Sequence, residues 1–202
     1  MAEREQVEIT SRAGWRAWLA EHHRSSPGVW AVTYKKDSGG PHVPYEDVVE
    51  EALAFGWVDS QGRRLDDPRW QLYCAPRKRG SAWSRANRAR VERLAAAGLM
   101  TPAGQAAVDE AQASGAWLVI EHAEAGVEPD DLAAALDAEP AARRHWDAFP
   151  PSTKRAILEW IGTAKRPDTR ARRVAETARL AAENVRANQW RQPKGTTRGS
   201  DP

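Results

Sequence analysis

The sequence has very little cysteine and no long apolar run, and both shortages exclude whole classes of protein. Its 202 residues include one cysteine, Cys74, so no disulfide can form within the chain, and a reducing cytoplasm is the expected compartment. No stretch approaches the ~20 apolar residues of a membrane-spanning helix, and the N-terminal MAEREQVEIT lacks the apolar core of a signal peptide. With 29% charged residues, we expect a soluble cytoplasmic protein without membrane insertion.

Motifs for cofactors and for several common reactions are also missing. The chain has no GxGxxG and no GxxxxGK[ST] pattern, so a nucleotide cofactor has no direct support. The five histidines are either adjacent or scattered, which does not suit a metal site. Ser60 lies in GWVDSQG, which is not a nucleophile elbow. We expect no cofactor and no metal, and the sequence leaves open whether the protein is an enzyme.

Positive charge is concentrated in residues 62–93, called here the basic segment. It contains ten Lys or Arg against three Asp or Glu, a local charge of +7, although the whole chain carries only +2. Trp70 and Trp83 lie within it and Trp57 just before it, each thirteen residues from the next. The chain has ten tryptophans. Most are expected in cores, and the alternative is that two or three line a ligand cleft.

Periodicity and turn residues predict an α+β fold. Ser11 can cap a first helix, residues 29–36 alternate as a strand, and residues 45–55 form an amphipathic helix that Gly56 ends. Residues 61–75 read as a hairpin. These elements predict a small antiparallel sheet of about three strands, covered by helices.

The second half of the chain predicts helices. We expect an N-terminal α+β region over residues 1–128, a C-terminal helical bundle over 129–190 and a disordered tail over 191–202. Proline residues mark the starts of the C-terminal helices. Residues 116–128 are ambiguous between a linker and a short strand.

Asn87 is the most informative single residue of the basic segment. It falls on one helical stripe with Trp83, Val91 and Leu94, where an apolar side chain would pack better. A buried amide costs ~1–3 kcal/mol unless it is paired. Asn87 is therefore expected to bond either the backbone of the neighbouring hairpin or a ligand in a cleft.

Asp59 and Ser60 follow the glycine that ends a helix, a position from which side chains often turn into a site. Asp59 can act as a general base or pair with Arg63 or Arg64. The other candidates supply aromatic surface or positive charge. The ligand-binding residues predicted in this way are Lys35, Trp57, Asp59, Ser60, Arg63, Arg77, Trp83, Ser84 and Asn87.

Several motifs resemble the YdeI/OmpD-associated family, also called bacteriocin-protection proteins. They are Tyr34-Lys35-Lys36-x-Ser38-Gly39, Tyr45-Glu46, Glu50-Glu51-Ala52-Leu53-x-Phe55-Gly56-Trp57-Val58-Asp59-Ser60, Leu65-Asp66, Pro76-Arg77, Ser81-x-Trp83-Ser84-x-x-Asn87 and Arg90-Val91-Glu92-x-Leu94. Farther on, Pro129-x-Asp131-Leu132, Ala164-Lys165, Thr169-Arg170 and Arg173 look like the family's C-terminal helical module. The similarity covers about residues 10–188. It implies a cytoplasmic bacterial protein associated with tolerance to bacteriocins or envelope stress, but it implies no reaction.

Three functional hypotheses follow. The first is a protective binding protein whose cleft holds a small anionic ligand or the acidic segment of a partner. The second is nucleic-acid binding through the basic segment. The third is an enzyme with Asp59 as the base and Lys35 or Arg77 as an anion clamp. Affinity that falls steeply with salt would favour nucleic acid over a single clamped anion.

Overall fold

Four strands and nine helices form over residues 4–192, the part of the chain that the computed structural model describes. The strands are β1 (Gln6–Glu8), β2 (Val29–Tyr34), β3 (Trp57–Arg64) and β4 (Arg69–Pro76). The helices are α1 (Arg12–His22), α2 (Tyr45–Ala54), α3 (Arg85–Ala96), α4 (Pro102–Ala113), α5 (Val119–Glu124), α6 (Asp130–Asp137), α7 (Pro140–Ala148), α8 (Pro151–Gly162) and α9 (Pro167–Ala182).

The chain divides into two units. The first unit contains the residues up to Ser81 together with Arg85–Ser114, and so holds the sheet and α1 to α4. The second contains Ala82–Ser84 and the residues from Gly115 onward. The α+β prediction is confirmed, whereas the boundary expected between residues 128 and 129 stays a prediction. Most of the tail expected to be disordered, residues 193–202, lies outside the described residues.

The sheet of the first unit has the strand order β1-β2-β4-β3. β2 pairs antiparallel with β4, with Val29 opposite Cys74 and Thr33 opposite Trp70, and β3 and β4 form the predicted hairpin. β1 adds an unpredicted fourth strand, parallel to β2 at the edge of the sheet. With three residues, it is too short to show the alternation by which a strand is recognised.

Local signals set several element ends as the sequence predicts. The side chain of Ser11 accepts a hydrogen bond from the backbone N–H of Gly14 at 3.0 Å, and Thr101 caps α4 in the same way. Gly56 follows α2 with a positive φ of 74°. A Cβ there would also lie 2.9 Å from the carbonyl oxygen of Ala103, so the glycine at position 56 permits the close approach of α4 to the end of α2.

α2 is joined to α1 by ion pairs around a buried carboxylate. Glu51 is 2% exposed, and it accepts from Arg12 Nε at 2.7 Å and from Arg16 Nη1 at 2.6 Å. Arg12 also donates to Asp47 at 2.8 Å. Burial of a carboxylate without such partners destabilises the folded state. The burial of Glu51 therefore depends on Arg12 and Arg16.

α3 binds other carboxylates of α2. Arg90 forms a two-pronged pair with Glu46, at 3.0 and 2.7 Å, while Arg93 reaches Glu46 at 2.7 Å and Glu50 at 2.9 Å. The hydrogen bond from Arg90 is the main reason that the pKa of Glu46 is lowered, and the positive charges of Arg90 and Arg93 add to it. Two of the helices that pack against α2 in the first unit, α1 and α3, are therefore held to it by arginine.

The second unit has a core of its own, centred on Trp146, Leu132, Leu136, Ile157 and Ile161. Residues 116–128, predicted as a linker or a short strand, instead contain the helix α5. Buried Ala123 joins α5 to this core. α5 also approaches α8 so closely that a Cβ at Gly162 would lie 2.7 Å from Val119 Cγ1.

Two arginines of α9 fix its neighbours. Arg173 donates to the carbonyl of Trp160 near the end of α8, and Arg170 pairs with Asp131 at 2.7 and 2.9 Å. This hydrogen bond from Arg170 lowers the pKa of Asp131. Within residues 4–192, no helix has both the length and the apolar character to cross a membrane.

Replacing Glu51 with glutamine should lower the free energy of unfolding by ~1–3 kcal/mol, because two charge-assisted hydrogen bonds in a buried place lose their charged acceptor. Glu92→Gln, at an exposed position of α3, is the matched control and should stay within ~0.5 kcal/mol of the parent. Urea unfolding followed by circular dichroism measures both. Equal effects of the two substitutions would show that the Glu51 pairs add nothing.

A fragment of residues 115–192 should be more stable than one of residues 127–192. The shorter fragment lacks Val119 and Ala123, and so loses the contacts of α5 with α8 and the core. A loss of only ~1 kcal/mol corresponds to ~4–8 °C in melting temperature for fragments of this size. Thermal melts by circular dichroism test this. Identical melting temperatures would place the start of the independent helical module near residue 128.

Candidate functional site

A pocket of about 380 Å³ opens in the first unit where β2 ends, beside β4 and the first turn of α2. It is called the Lys35 pocket. Its lining residues are Thr33, Tyr34, Lys35, Lys36, His42, Val43, Tyr45, Val48, Trp70 and Leu72. The volume is within the range of pockets that bind small molecules, and most of the lining side chains are apolar or aromatic.

The charged groups of the Lys35 pocket are all basic. Lys35 and Lys36 line it, and no carboxylate is among the described residues that do. Lys35 Nζ donates to the carbonyl oxygen of Asp67 at 2.7 Å, which leaves two of its three N–H donors for another acceptor. His42 Nδ1 lies 2.7 Å from the carbonyl oxygen of Tyr34. Because a carbonyl can only accept, Nδ1 carries the proton and Nε2 remains for a ligand.

Two exposed aromatic side chains border the same pocket. Tyr45 is 52% exposed and Trp70 40% exposed. Aromatic side chains are usually buried in cores. Two exposed rings at one pocket therefore indicate a ligand-binding surface.

Tyr45 joins the Lys35 pocket to the predicted base, Asp59. The Tyr45 hydroxyl donates to Asp59 Oδ2 at 2.8 Å. Burial and then this bond raise the pKa of Tyr45 to about 12, while the positive charge of Arg90, 5.9 Å from the centre of the ring, acts in the opposite direction. Tyr45 therefore stays protonated at neutral pH, as a donor to a charged carboxylate.

A second cavity, of about 260 Å³, lies beside α4. It is lined by Arg77, Lys78, Arg79, Ala106, Ala107 and Glu110. Burial lowers the pKa of Arg77 to about 10, and the negative charge of Asp59 opposes this. Glu110 lies 3.6 Å from Arg79 Nε and accepts from the backbone N–H of Gly80 at 3.3 Å. This cavity already contains a carboxylate, so it suits an anionic ligand less well than the Lys35 pocket.

Four of the predicted site residues lie on β3. Trp57 is 1% exposed, and its indole N–H donates to the carbonyl oxygen of His23 at 3.1 Å. Asp59 was expected to be a base or to pair with Arg63 or Arg64. Its described hydrogen-bond partner is Tyr45, the guanidinium of Arg63 lies 4.2 Å from the centre of the Trp30 ring, and Arg64 pairs with Asp67. Ser60 is exposed.

The other predicted residues fall in different places. Trp83 and Ser84 belong to the second unit, where the Trp83 ring lies 5.0 Å from that of Trp117. Asn87 belongs to the first unit, where it is buried as predicted, and its amide oxygen accepts from Arg90 Nη1 at 2.8 Å. That Asn87 also bonds the hairpin backbone or a ligand stays a prediction.

The structure therefore separates the predicted set. Lys35 lines the Lys35 pocket and Arg77 lines the cavity beside α4. Ligand binding by all nine predicted residues stays a prediction. Tyr45, Trp70 and His42 were not among the predicted site residues. The sequence shows Trp70 only as one tryptophan of the basic segment, and its exposure, like the place of Tyr45, depends on how the elements pack.

Much of the positive charge of the basic segment is neutralised by carboxylates of the first unit. At least five of its ten basic side chains form ion pairs with described carboxylates. They are Arg64 with Asp67, Arg69 with Asp66 and Glu8, Arg79 with Glu110, Arg90 with Glu46, and Arg93 with Glu46 and Glu50. The local charge of +7 counted along the sequence therefore overstates the positive potential of this surface.

The Tyr45–Asp59 bond has a measurable effect on the ionisation of Tyr45. In Asp59→Asn, the pKa of Tyr45 should fall from about 12 towards its ordinary value of 10.0 without reaching it, because burial, the largest cause, remains. Titration of ¹³C-labelled tyrosine by NMR measures this, and Tyr45→Phe assigns the resonance. An unchanged pKa would show that Asp59 does not accept this bond.

The same shift links stability to pH. The folded protein holds the Tyr45 proton more tightly than the unfolded chain, so this stabilisation is complete below pH 10.0 and is lost as the pH rises towards 12. The loss should be smaller in Asp59→Asn than in the parent.

Comparison with known proteins gives a match in each part of the chain. A family model described as a domain of unknown function (DUF8412) matches residues 7–107, half of the chain, which includes the Lys35 pocket and the motifs around Asp59 and Asn87. A model described as bacteriocin-protection, YdeI or OmpD-associated matches residues 126–184. No curated protein and no solved structure gives a match. The chain therefore belongs to the family of this domain of unknown function, and its C-terminal part to the bacteriocin-protection, YdeI or OmpD-associated family.

Proposed function

We propose that the first unit binds a small organic anion in the Lys35 pocket. The observation that carries this proposal is the pocket itself, an apolar cavity of about 380 Å³ whose charged lining residues are Lys35 and Lys36. The apolar part of such a ligand would be removed from water by packing against Val43, Val48 and Leu72. Its acidic group would bind the two lysines.

The two parts of such a ligand contribute in different ways. Apolar surface gains ~25 cal/mol for each Å² removed from water. A charge-assisted hydrogen bond from an ammonium group gives direction as well as affinity, and Lys35 has donors left for it. A neutral molecule of the same shape would leave both ammonium groups without a new acceptor, so the acid should be preferred.

The place of this binding in the cell is part of the same proposal. The family description of the C-terminal part supports a protective role of the bacteriocin-protection type, and we place it in the cytoplasm. The acidic segment of a partner protein could present its carboxylates to the same lysines. Of the residues predicted on β3, Asp59 would then support the pocket through its bond with Tyr45.

2-Naphthoate should bind the full-length protein at least about tenfold more tightly than 2-naphthamide, its neutral counterpart, in equilibrium dialysis. The tenfold ratio corresponds to ~1.4 kcal/mol, the lower range of one hydrogen bond to a charged group. In the double variant Lys35→Gln/Lys36→Gln, the two compounds should bind alike.

Lys154→Gln is the matched control for these variants. Lys154 also donates to a backbone carbonyl, that of Asp147 at 3.1 Å, but it lies in the second unit. Its replacement should leave the preference for naphthoate unchanged. Equal binding of naphthoate and naphthamide to the parent protein would contradict an anion site, and so would loss of the preference in Lys154→Gln alone.

A further inference from the structure

The two exposed rings at the Lys35 pocket are each held by a contact on β3. The Tyr45 hydroxyl is bonded to Asp59. The Trp70 ring lies over Gly62, where a Cβ would come within 3.0 Å of Trp70 Cζ2 and 3.1 Å of Nε1. An exposed ring that is already oriented loses less rotational freedom when a ligand packs against it. The two contacts therefore hold the rings at the surface in orientations in which a ligand can pack against them.

Other aromatic rings of the same sheet are covered. Trp30 and Thr33 are three positions apart on β2, so their side chains lie on opposite faces of the sheet, and Thr33 pairs with Trp70. On the face of Trp30, Arg63 covers that ring and Trp30 is only 5% exposed. Among residues 4–192, no described cation lies over Trp70, and this ring remains 40% exposed. The open ring is the one that borders a pocket.

We propose that the ligand of the Lys35 pocket carries a planar aromatic ring and a phosphate. The ring packs against Tyr45 and Trp70, and the phosphate lies against Lys35 and Lys36. Asp59 and Gly62 are positioning residues, which orient the two rings without touching the ligand. This inference rests on the proposed function, since it specifies which anion the pocket takes.

The chemistry of the lining favours a nucleobase with a phosphate over a simpler aromatic acid. Lysine ammonium groups are compact charges that bind phosphate well, and two of them match its double charge. Every nucleobase has a face that stacks on tryptophan or tyrosine. His42 Nε2 and the hydroxyl of Thr33 offer polar contacts to the base or the sugar. Free nucleotides and single-stranded nucleic acid share this combination.

Calorimetric titration of the full-length protein with AMP, ribose 5-phosphate and adenosine tests the proposal. Stacking of a base is worth ~1–3 kcal/mol, so AMP should bind at least about tenfold more tightly than ribose 5-phosphate. Lys35→Gln/Lys36→Gln should weaken both phosphates and leave adenosine unchanged. Trp70→Leu should remove most of the advantage of AMP.

Substitution of the positioning residues should weaken the packing of the ligand ring without changing the charge of the two lysines, so its effect differs from that of the lysine variants. Gly62→Ala pushes the Trp70 ring aside, and Asp59→Asn weakens the hold on Tyr45. Each should reduce the affinity for AMP severalfold and leave that for ribose 5-phosphate within twofold. Gln61→Ala, at an exposed neighbouring position of β3, is the control and should change neither. Thermal melts check that each variant is folded. If Gly62→Ala does not fold, Asp59→Asn still provides the test.

Two outcomes separate this inference from the proposal on which it rests. If 2-naphthoate binds as expected but AMP binds no better than ribose 5-phosphate, the ring-and-phosphate inference is wrong and the anion site stands. If 2-naphthoate shows no preference over its amide, both fail. Equal weakening of AMP and ribose 5-phosphate by Asp59→Asn and Gly62→Ala also overturns the inference.

A decamer of thymidylate distinguishes the two sources of such a ligand. Tighter binding than AMP with a steeper salt dependence assigns the pocket to single-stranded nucleic acid, because several phosphates are then contacted. Binding no tighter than that of AMP assigns it to a free nucleotide. Either result supports the ring-and-phosphate chemistry provided that AMP itself binds more tightly than ribose 5-phosphate, and the inference is overturned if AMP does not.

Discussion

The first unit depends on the negative charge of α2 and the arginines that hold it. Glu51 could not be buried without Arg12 and Arg16, and Glu46 and Glu50 bind the arginines of α3. Two helices from distant parts of the chain, α1 and α3, are thus fixed around α2. Tyr45 is the first residue of that helix, so the ion pairs that build the unit also set one wall of the Lys35 pocket.

Counting charge along the chain placed Arg90 and Arg93 in the basic segment but did not show their role. Arginine suits this use because its fork can bind one carboxylate twice, as Arg90 does with Glu46, or several carboxylates at once, as Arg12 does. The same residues suggested a nucleic-acid surface when read as a segment. What distinguishes the two is the position of their partners, which lie tens of residues away on α2. Pairing between elements that are distant in sequence is not visible in local composition.

Most of the fold could be predicted because local chemistry specified it. Several helix ends are determined by residues close to them in the sequence. Examples are the caps at Ser11 and Thr101, the glycine after α2 and the prolines that begin helices. β1 and α5 were missed because short elements depend on tertiary contacts for their stability. For the site, Lys35 was found by its charge. Tyr45 and Trp70 were not, because their exposure together at one pocket follows from packing.

The irregularity of β3 has a consequence for how this protein family can vary. Asp59 pairs with Cys74 and Gly62 with Leu72, so three steps along β3 match two along β4. Simple alternation would put Asp59 and Gly62 on opposite faces, yet both pair with residues that alternate onto the face of Trp70. The extra residue absorbs length without altering the pairing beyond it. We therefore expect relatives that lack one residue at positions 60–61 to keep the glycine opposite the same leucine, so that chain length can drift here while the geometry of the pocket is inherited unchanged.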